Sequence, residues 1–478
     1  MIFTDIVGII ADDLTGANDT ALQFHLRGAN TRILLDGEYI PQKNEETEVW
    51  ALSTESRNID EWEAVEKVER AVKSFLENFS FEYYYKKIDS TLRGHIALET
   101  LTMLDILGYD AAIIIPAFPQ EGRITVGGYH LLKGVPIGRT EIAMDPHSPI
   151  LESHIPTLLR SQLKEKQKEL VGTIDLKTIM NGAGPILIKI NELIKDGKKL
   201  IIADSTSITD IEQLALAIKK CDKKLLPAGT AAGAQVLGKS WLSGIEKERE
   251  SVKLPKLPKF IVSGTATNIT AEQIHKLEQS DDYNDVNFIP LETSDILEGV
   301  NNDIVERIIN NLNSGVTVAV HTSHLIANFD GFSDDSFNAE LTKEKLSSMI
   351  TDYLAELARR VLEQINVILI TLGGETSYKC CKSINSNELK LIDEVAPAIS
   401  LCVDTHGRWI VTKSGNLGNT RTLIEILDYF KDYCIKHQST FYPLQVEKQY
   451  QYPYHLHFHQ KEYVLHLPTY QVSNLTLA

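Results

Sequence analysis

The sequence predicts an α/β protein of two domains, each with a mostly parallel sheet, and an inter-domain cleft. Three observations predict it. Short apolar runs alternate with amphipathic stretches from the first residues onward, the rhythm of a parallel sheet covered by helices. At 478 residues the chain is too long for one ordinary core. The rhythm stops once, between about 243 and 259, at a stretch ending ESVKLPKLPK. Proline there can continue neither a helix nor a central strand.

The elements follow in order. Strands are expected at 6–11, 31–35, 49–53, 83–88 and 111–116, where apolar or β-branched runs are bounded by turn residues. Apolar residues at helical spacing place helices at 60–77 and 97–107. From 116 to 149 the chain turns to glycine, proline and polar residues; a loop of that length is expected to be an ordered excursion over a site. Strands resume at 200–203 and 224–227. After the boundary come a strand at 260–263, a helix from Ala271, a strand at 316–321, a helix at 341–363 and a strand at 367–371. Paired shorter strands near 389–395 and 409–412 complete the pattern. The domains are therefore expected at 1–242 and 255–435, with a tail of unknown role at 436–478. That tail carries Tyr450, Tyr452, Tyr454, Tyr463 and Tyr470 among its tyrosines, and His455, His457 and His459 alternate along it. Three imidazoles on one strand need further geometry to close a tetrahedron, so a polar strand face or a poorly ordered tail is the simpler expectation than a metal site.

Composition removes several classes. A net charge of −17 argues against nucleic acid or an anionic membrane as the main partner. The five cysteines (Cys221, Cys380, Cys381, Cys402, Cys434) show no CxxC spacing, so reduced thiols are expected and a zinc site is not. The N-terminus enters a strand without a basic or long apolar leader, and no apolar run is long enough to span a bilayer. A cytoplasmic protein is expected, with a homodimer left open.

Chemistry is concentrated at predicted strand ends, where ligands of open α/β sheets sit. The segment VGIIADDLTGANDT (7–20) carries an apolar strand into adjacent carboxylates, Asp12 and Asp13, and then into a helix. Such a pair can hold a cation and accept a proton from a hydroxyl, as phosphoryl transfer requires. The plainer alternative is that Asp13 or Thr15 only caps the helix. Ser56-Arg57 lies just past another strand. KKIDSTLRGH (86–95) gathers Lys87, Asp89, Ser90, Thr91 and Arg93, a set able to grip a carboxylate and read sugar-like hydroxyls. A capped helix with surface ion pairs is the alternative there. Arg123, Arg139 and Asp145 in the long loop are weaker candidates. The second domain offers three backbone-rich turns: FIVSGTATN (260–268), LITLGGETS (369–377) and TKSGNLGNT (412–420). Each lets backbone N–H groups approach an anion, and three together suit a nucleotide with several phosphates. No GxxxxGK[ST] is present, and the protein-kinase motif set is absent.

Taken in order, ADDLTGANDT, Ser56-Arg57, KIDSTLRG, PAFPQEGR with Gly127 and Asp145-Pro146, VSGTAT, LGGETS and TKSGNLG make the chain resemble the four-carbon acid sugar kinases over about residues 4–430. The resemblance implies a sugar-acid-binding N-terminal domain, an ATP-binding C-terminal domain, and threonate, erythronate or oxo-tetronate as substrate. It implies substrate contacts from Asp12, Arg57, Lys87, Asp89 and Ser90, to which the residues' own chemistry adds Asp13, Thr91 and Arg93. It places Ser263, Gly373, Gly374, Glu375, Thr376 and Gly415 around ATP, with Lys413 added for its charge. Three positions depart from the family's usual residues: Asn416 replaces a second glycine, Leu417 an aromatic, and Ala398 a glycine.

Within this reading Asp12 is the expected base, with Asp13 or Asp89 next, and Arg57 is expected to grip the substrate carboxylate. Mg²⁺ would bridge the phosphates through one or two carboxylates, and domain closure would exclude water. D-threonate or D-erythronate is the expected substrate, with a 3-oxo-tetronate as alternative. A haloacid-dehalogenase-type phosphatase would need a second aspartate two positions after the first, but Leu14 and Thr15 stand there. A non-catalytic sugar-acid sensor would leave the three turns without a role.

Overall fold

The computed structural model describes residues 6–39, 41, 47–144, 148–243, 253–264, 267–327 and 343–436. Val7–Ala11, a five-residue apolar strand buried along its whole length, is central to the first half. Its side chains alternate between layers, as the two-residue strand period requires: Val7, Ile9 and Ala11 enter one apolar cluster and Ile10 the other. Burial on both faces is what a parallel strand under two helical layers needs. Val49–Ser53 and Tyr83–Lys87 pair with it in parallel on either side.

In the first half Thr31–Leu34, Val49–Ser53, Val7–Ala11, Tyr83–Lys87, Leu225–Gly229, Ala111–Ile115, Leu200–Ala203 and Val171–Ile174 lie side by side in that order. In the second half the order is Asn287–Pro290, Val318–His321, Lys259–Ser263, Ile368–Leu372, Trp409–Lys413, Ile399–Asp404 and Glu388–Ala396. The mostly parallel α/β architecture expected from the rhythm is borne out. The sequence does not announce that the two sheets are one. Glu388–Lys390 pairs antiparallel with Arg32–Leu34, joining 15 strands into a continuous sheet. One apolar cluster accordingly contains Phe24 and Ile33 together with Leu389, Cys402 and Ile410.

Helix boundaries follow local chemistry. Asp60 caps Glu61–Asn78 by accepting from the Trp62 and Glu63 amides. Ser207 and Asp210 form a reciprocal capping box at Ile208–Lys220. The described part of the loop expected at 116–149 is an ordered excursion: Arg123–Val126, Tyr129–Leu132 and Val135–Pro136 form a separate antiparallel sheet. Its first turn is Gly127-Gly128, both at positive φ (+59° and +76°), which suits a two-residue hairpin connection. The Asp204 carboxylate fixes that turn by accepting from both glycine amides at 2.7 and 2.9 Å.

Two expectations need correction. The strands near 389–395 and 409–412 do not pair with each other, because Ile399–Asp404 lies between them and bonds to both. The Pro397-Ala398 corner is tight enough to hide that strand in the sequence. Val171–Ile174 and Asn287–Pro290, both edge strands, were not expected at all. The histidine-rich tail, Asp145 and most of the inter-domain stretch lie outside the described residues. No helix among the described residues is long and apolar enough to cross a membrane.

Candidate functional site

Three neighbouring parallel strands of the first half end together. Val7–Ala11 delivers Asp12 and Asp13, Val49–Ser53 leads to Arg57, and Tyr83–Lys87 ends in Lys87 and leads to Asp89. In the second half Lys259–Ser263, Ile368–Leu372 and Trp409–Lys413 are likewise neighbours. They lead to Gly264, Gly373-Gly374 and Ser414-Gly415-Asn416. A cavity of about 560 Å³ is lined by both sets, including Asp12, Asp13, Arg57, Arg93, Gly374, Glu375 and Gly415. A smaller inner pocket is lined by Asp19, Lys87, Asp89, Arg123 and Ala398, among others. Asp13, Arg57, Arg93, Ser414 and Asn416 line both spaces.

The carboxylate pair is organised by Arg57. Its Nε and Nη2 donate to the two Asp12 oxygens at 2.9 and 3.0 Å, and its Nη1 and Nη2 donate to the Asp13 oxygens at 2.7 and 2.6 Å. Asp13 is also the cap of Leu14–His25, accepting from the Gly16 amide and the Thr15 hydroxyl. The capping alternative holds for this residue, which also lines the cavity. Burial pushes the Asp12 carboxyl up, but the Arg57 charge and hydrogen bonds, with Lys86 and Lys87 nearby, outweigh it and hold Asp12 below its ordinary range. Burial also works against ionised Asp89, yet Arg93, Arg57 and the Thr91 hydroxyl hold it well below that range.

These contacts bear on two expected roles. Arg57 lines the cavity, with its fork occupied by Asp12 and Asp13. Asp89 is engaged by Arg93 and Thr91, which leaves it poorly placed to act as a base. Lys87 stands apart: it is 4% exposed and pairs with no acid among the described residues. Adjacent strand positions face opposite ways, and Lys86 reaches the other layer, where it bonds Glu99 at 2.6 Å. Ser90 and Thr91 both line the inner pocket, and the Ser90 carbonyl is held at 2.9 Å by the buried His130 ring.

On the other wall, Gly373 adopts φ +114°, which favours glycine, and opens the helix Gly374–Ser383. Its first-turn amides and residues Glu375 and Thr376 border the cavity. Thr267 and Thr270 both donate to the Gly415 carbonyl, at 2.7 and 2.8 Å, and so shape the Ser414–Asn416 turn. Ser263 and Lys413 sit elsewhere than expected. Ser263 is buried at the strand end behind Gly264, which lines the cavity in its place. Lys413 is wholly buried and donates to Thr270 Oγ1 and the Ser414 carbonyl. It supports the turn from beneath, and burial pushes its ammonium down to about 7.

Two acids escaped the sequence reading. Glu55 lines the main cavity at φ +46°, a strained value for a non-glycine residue. Its Oε1 accepts from the Leu14 amide at 2.7 Å and the Ser53 hydroxyl at 2.6 Å. Burial, with the Asp13 charge adding, pushes its carboxyl up to about 8. Asp19 lines the inner pocket, and burial pushes it up to about 6 against the opposing pull of Lys87. Asp19 stands in the same ANDT segment as the helix it belongs to, so a helical projection from Asp12 could have found it; nothing local marks Glu55.

Comparison with known proteins gives two domain matches. A sugar-binding N-terminal domain matches residues 7–237, and a nucleotide-binding C-terminal domain matches residues 260–423. The chain is 28% identical to a D-erythronate kinase of Heliobacterium modesticaldum, over 88% of this chain and 96% of that protein. It is 26% identical to a D-threonate kinase of Salmonella typhimurium, covering 89% and 99% of the two chains. It is 25% identical to a 3-oxo-tetronate kinase of Haemophilus influenzae, covering 86% and 97%. With both domain types matched in order and kinases aligned along nearly their whole length, the chain belongs to the four-carbon acid sugar kinase family.

Proposed function

We propose that the protein is an ATP-dependent kinase that phosphorylates a hydroxyl of D-erythronate or D-threonate, held by the first half while the second half holds the nucleotide. The observation that carries this reading is the shared cavity. Its two walls put a carboxylate pair opposite glycine turns and a helix N-terminus, the two components that in-line phosphoryl transfer needs. The relatives named for D-erythronate and D-threonate support the choice of acid.

In this mechanism the first-turn amides of Gly374–Ser383 and the Ser414–Asn416 turn cradle the phosphates. Asp12 accepts a hydrogen bond from the attacking hydroxyl and takes its proton as the new O–P bond forms. Phosphoryl transfer passes through a loose transition state, so orientation of the hydroxyl matters more than strong basicity. An aspartate kept ionised by Arg57 is suited to that. Arg93, which lines the cavity, is positioned to offset negative charge. The donor set also fits Mg²⁺. Asp12, Asp13, Glu55 and Glu375 reach the cavity, yet no group of three or more ligand-type residues forms a cage among the described residues. Such a site suits a cation carried by phosphates and water with one or two carboxylates, here Asp13 and Glu375. When bound, the cation would neutralise charge on the phosphates.

A screen of ATP consumption with D- and L-erythronate, D- and L-threonate and the 3-oxo-tetronates tests the reading. Turnover with a D-tetronate is expected. Preference for a 3-oxo acid would move the substrate within the family, and absence of turnover with every acid, alongside tight acid binding, would favour a sensor.

A further inference from the structure

The sequence offered Arg57 as the receptor of the substrate carboxylate, and the structure has given that fork to Asp12 and Asp13. An acid substrate still needs a cationic receptor, and the inner pocket contains one. Arg123 is 5% exposed and its Nε is buried without a hydrogen-bond partner. Its nearest acid is Glu121, at 3.8 Å from Nη1, beyond hydrogen-bond distance. Lys87 also lines this pocket, is almost wholly buried and has no acid partner among the described residues. Two buried cations with no anion within hydrogen-bond distance are costly. Their cost is relieved when an anion enters.

We propose that the inner pocket takes the carboxylate end of the substrate, with the Arg123 fork as its principal receptor, Lys87 as the second, and Asp19 reading the adjacent hydroxyl. This rests on the sugar-acid kinase reading and names the group that selects acids over neutral polyols. The backbone that carries the fork is anchored. The Arg123 amide and carbonyl bond Phe118, at 3.1 and 2.8 Å, on one side of the hairpin. Thr125 bridges to Ser205 at 2.9 and 3.0 Å, and Asp204 clamps the glycine turn. His130 ties the same hairpin to Ser90 and to the Thr125 hydroxyl. Asp13, Arg57 and Arg93 border both spaces, so an acid seated here has its far hydroxyls directed towards Asp12 and the main cavity. Asn18, whose Nδ2 donates to Thr412 and whose buried Oδ1 lacks a partner, supplies a further acceptor for a substrate hydroxyl.

The test uses the full chain, its Arg123→Gln and Arg123→Lys variants, and three compounds: D-erythronate, D-threonate and neutral erythritol. Loss of a charge-assisted bidentate contact is expected to raise KM for the acids about 10- to 100-fold in Arg123→Gln, with KM for ATP nearly unchanged. The preference for acid over erythritol should fall by the same factor. Arg123→Lys should recover only part of it, since the charge remains without the fork. Thermal shift without ATP supplies a reading independent of turnover: the acids should stabilise the native protein and lose that effect in Arg123→Gln. If no acid is phosphorylated but the acid-induced shift still depends on Arg123, the kinase reading fails and the carboxylate pocket stands. If Arg123→Gln keeps the native preference and the native shift, the pocket assignment is overturned. Should Arg123→Gln fail to fold, Arg123→Lys is read by the same criteria.

Discussion

A methyl group on Gly374 would stand 3.0 Å from Asp13 Oδ2 and 3.3 Å from Thr15 Oγ1. The helix that opens at Gly374 thus meets the carboxylate that caps the helix opening at Leu14, and the two halves of the cavity touch at that point. Gly374→Ala is expected to push this turn off the Asp13 carboxylate, at a local cost of about 1–3 kcal/mol. Alanine's better helix propensity, worth about 1 kcal/mol, offsets part of this in overall stability. Turnover should therefore fall by about tenfold or more while Tm moves little. Native-like kcat and KM for ATP would mean that this contact does not set the geometry of transfer.

Asp12→Asn is expected to lower turnover roughly 10²-fold or more, in line with loss of a positioned proton acceptor. Nucleotide binding, assigned above to the opposite wall, is expected to survive nearly intact. Calorimetry with ATP and steady-state kinetics separate the two. Near-normal turnover would pass the role to Asp13, because Asp89 is held by Arg93 and Thr91.

Lys86 and Glu99 form an ion pair at 2.6 Å with both side chains almost wholly buried. Ser56 donates to the remaining Glu99 oxygen at 2.8 Å, and the pair lies under the strand end that carries Lys87. Lys86→Met leaves Glu99 charged and uncompensated, at an expected cost of about 3–5 kcal/mol. Lys86→Met combined with Glu99→Leu should recover much of that loss. Urea unfolding of the three proteins checks it, and equal destabilisation of the single and double variants would show that the charge is not what matters.

How far these sites were legible in the sequence depended on the range of the interaction. Strand ends and glycine turns are local, and Asp12, Asp13, Lys87, Gly373 and Gly415 were found because an apolar run stops where they begin. Partner choice is not local. Nothing near Arg57 says that its fork closes on residues 44 and 45 positions earlier. Lys413 reads as a phosphate ligand from its SGN neighbours, whereas burial under Thr270, 143 positions away, decides its role. The single sheet is hidden for the same reason, since the Glu388–Lys390 pairing with Arg32–Leu34 spans more than 350 residues.

The three departures from the family's usual residues were visible in the sequence, but their meeting place was not. Ala398, Asn416 and Leu417 all line the inner pocket. Ala398 holds φ +61°, a left-handed conformation that costs an L-residue roughly 1–2 kcal/mol. Ala398→Gly relieves that strain but adds freedom to the unfolded chain, so a net gain of about 0.5–1 kcal/mol is expected. Chemical denaturation measures it. A loss of stability would indicate that the alanine methyl packs against the pocket wall more favourably than its backbone strain costs.

Glu55 gives the pH dependence its sign. Burial and the Asp13 charge raise its carboxyl from 4.5 to about 8 in the folded protein. Between those two values the folded state keeps a proton that the unfolded chain has lost, so Glu55 subtracts stability as pH rises through that window. The subtraction is negligible below about 4.5 and complete above about 8. Glu55→Gln mimics the protonated shape: its carbonyl oxygen can still accept from the Leu14 amide, and it carries no charge to desolvate. The difference in Tm between variant and native should be near zero at pH 5 and grow in favour of the variant towards pH 8.5. A residual gain of about 1 kcal/mol there corresponds to roughly 1 °C for a protein of this size. His130 works in the opposite sense, since burial pushes it down to about 4 and stability is lost as pH falls from about 6.5 towards that value. Comparing the two proteins at each pH cancels His130 and Asp19, which both share. A Tm difference that stays constant from pH 5 to 9 would remove Glu55 as the group responsible and leave its strained backbone as a structural feature alone.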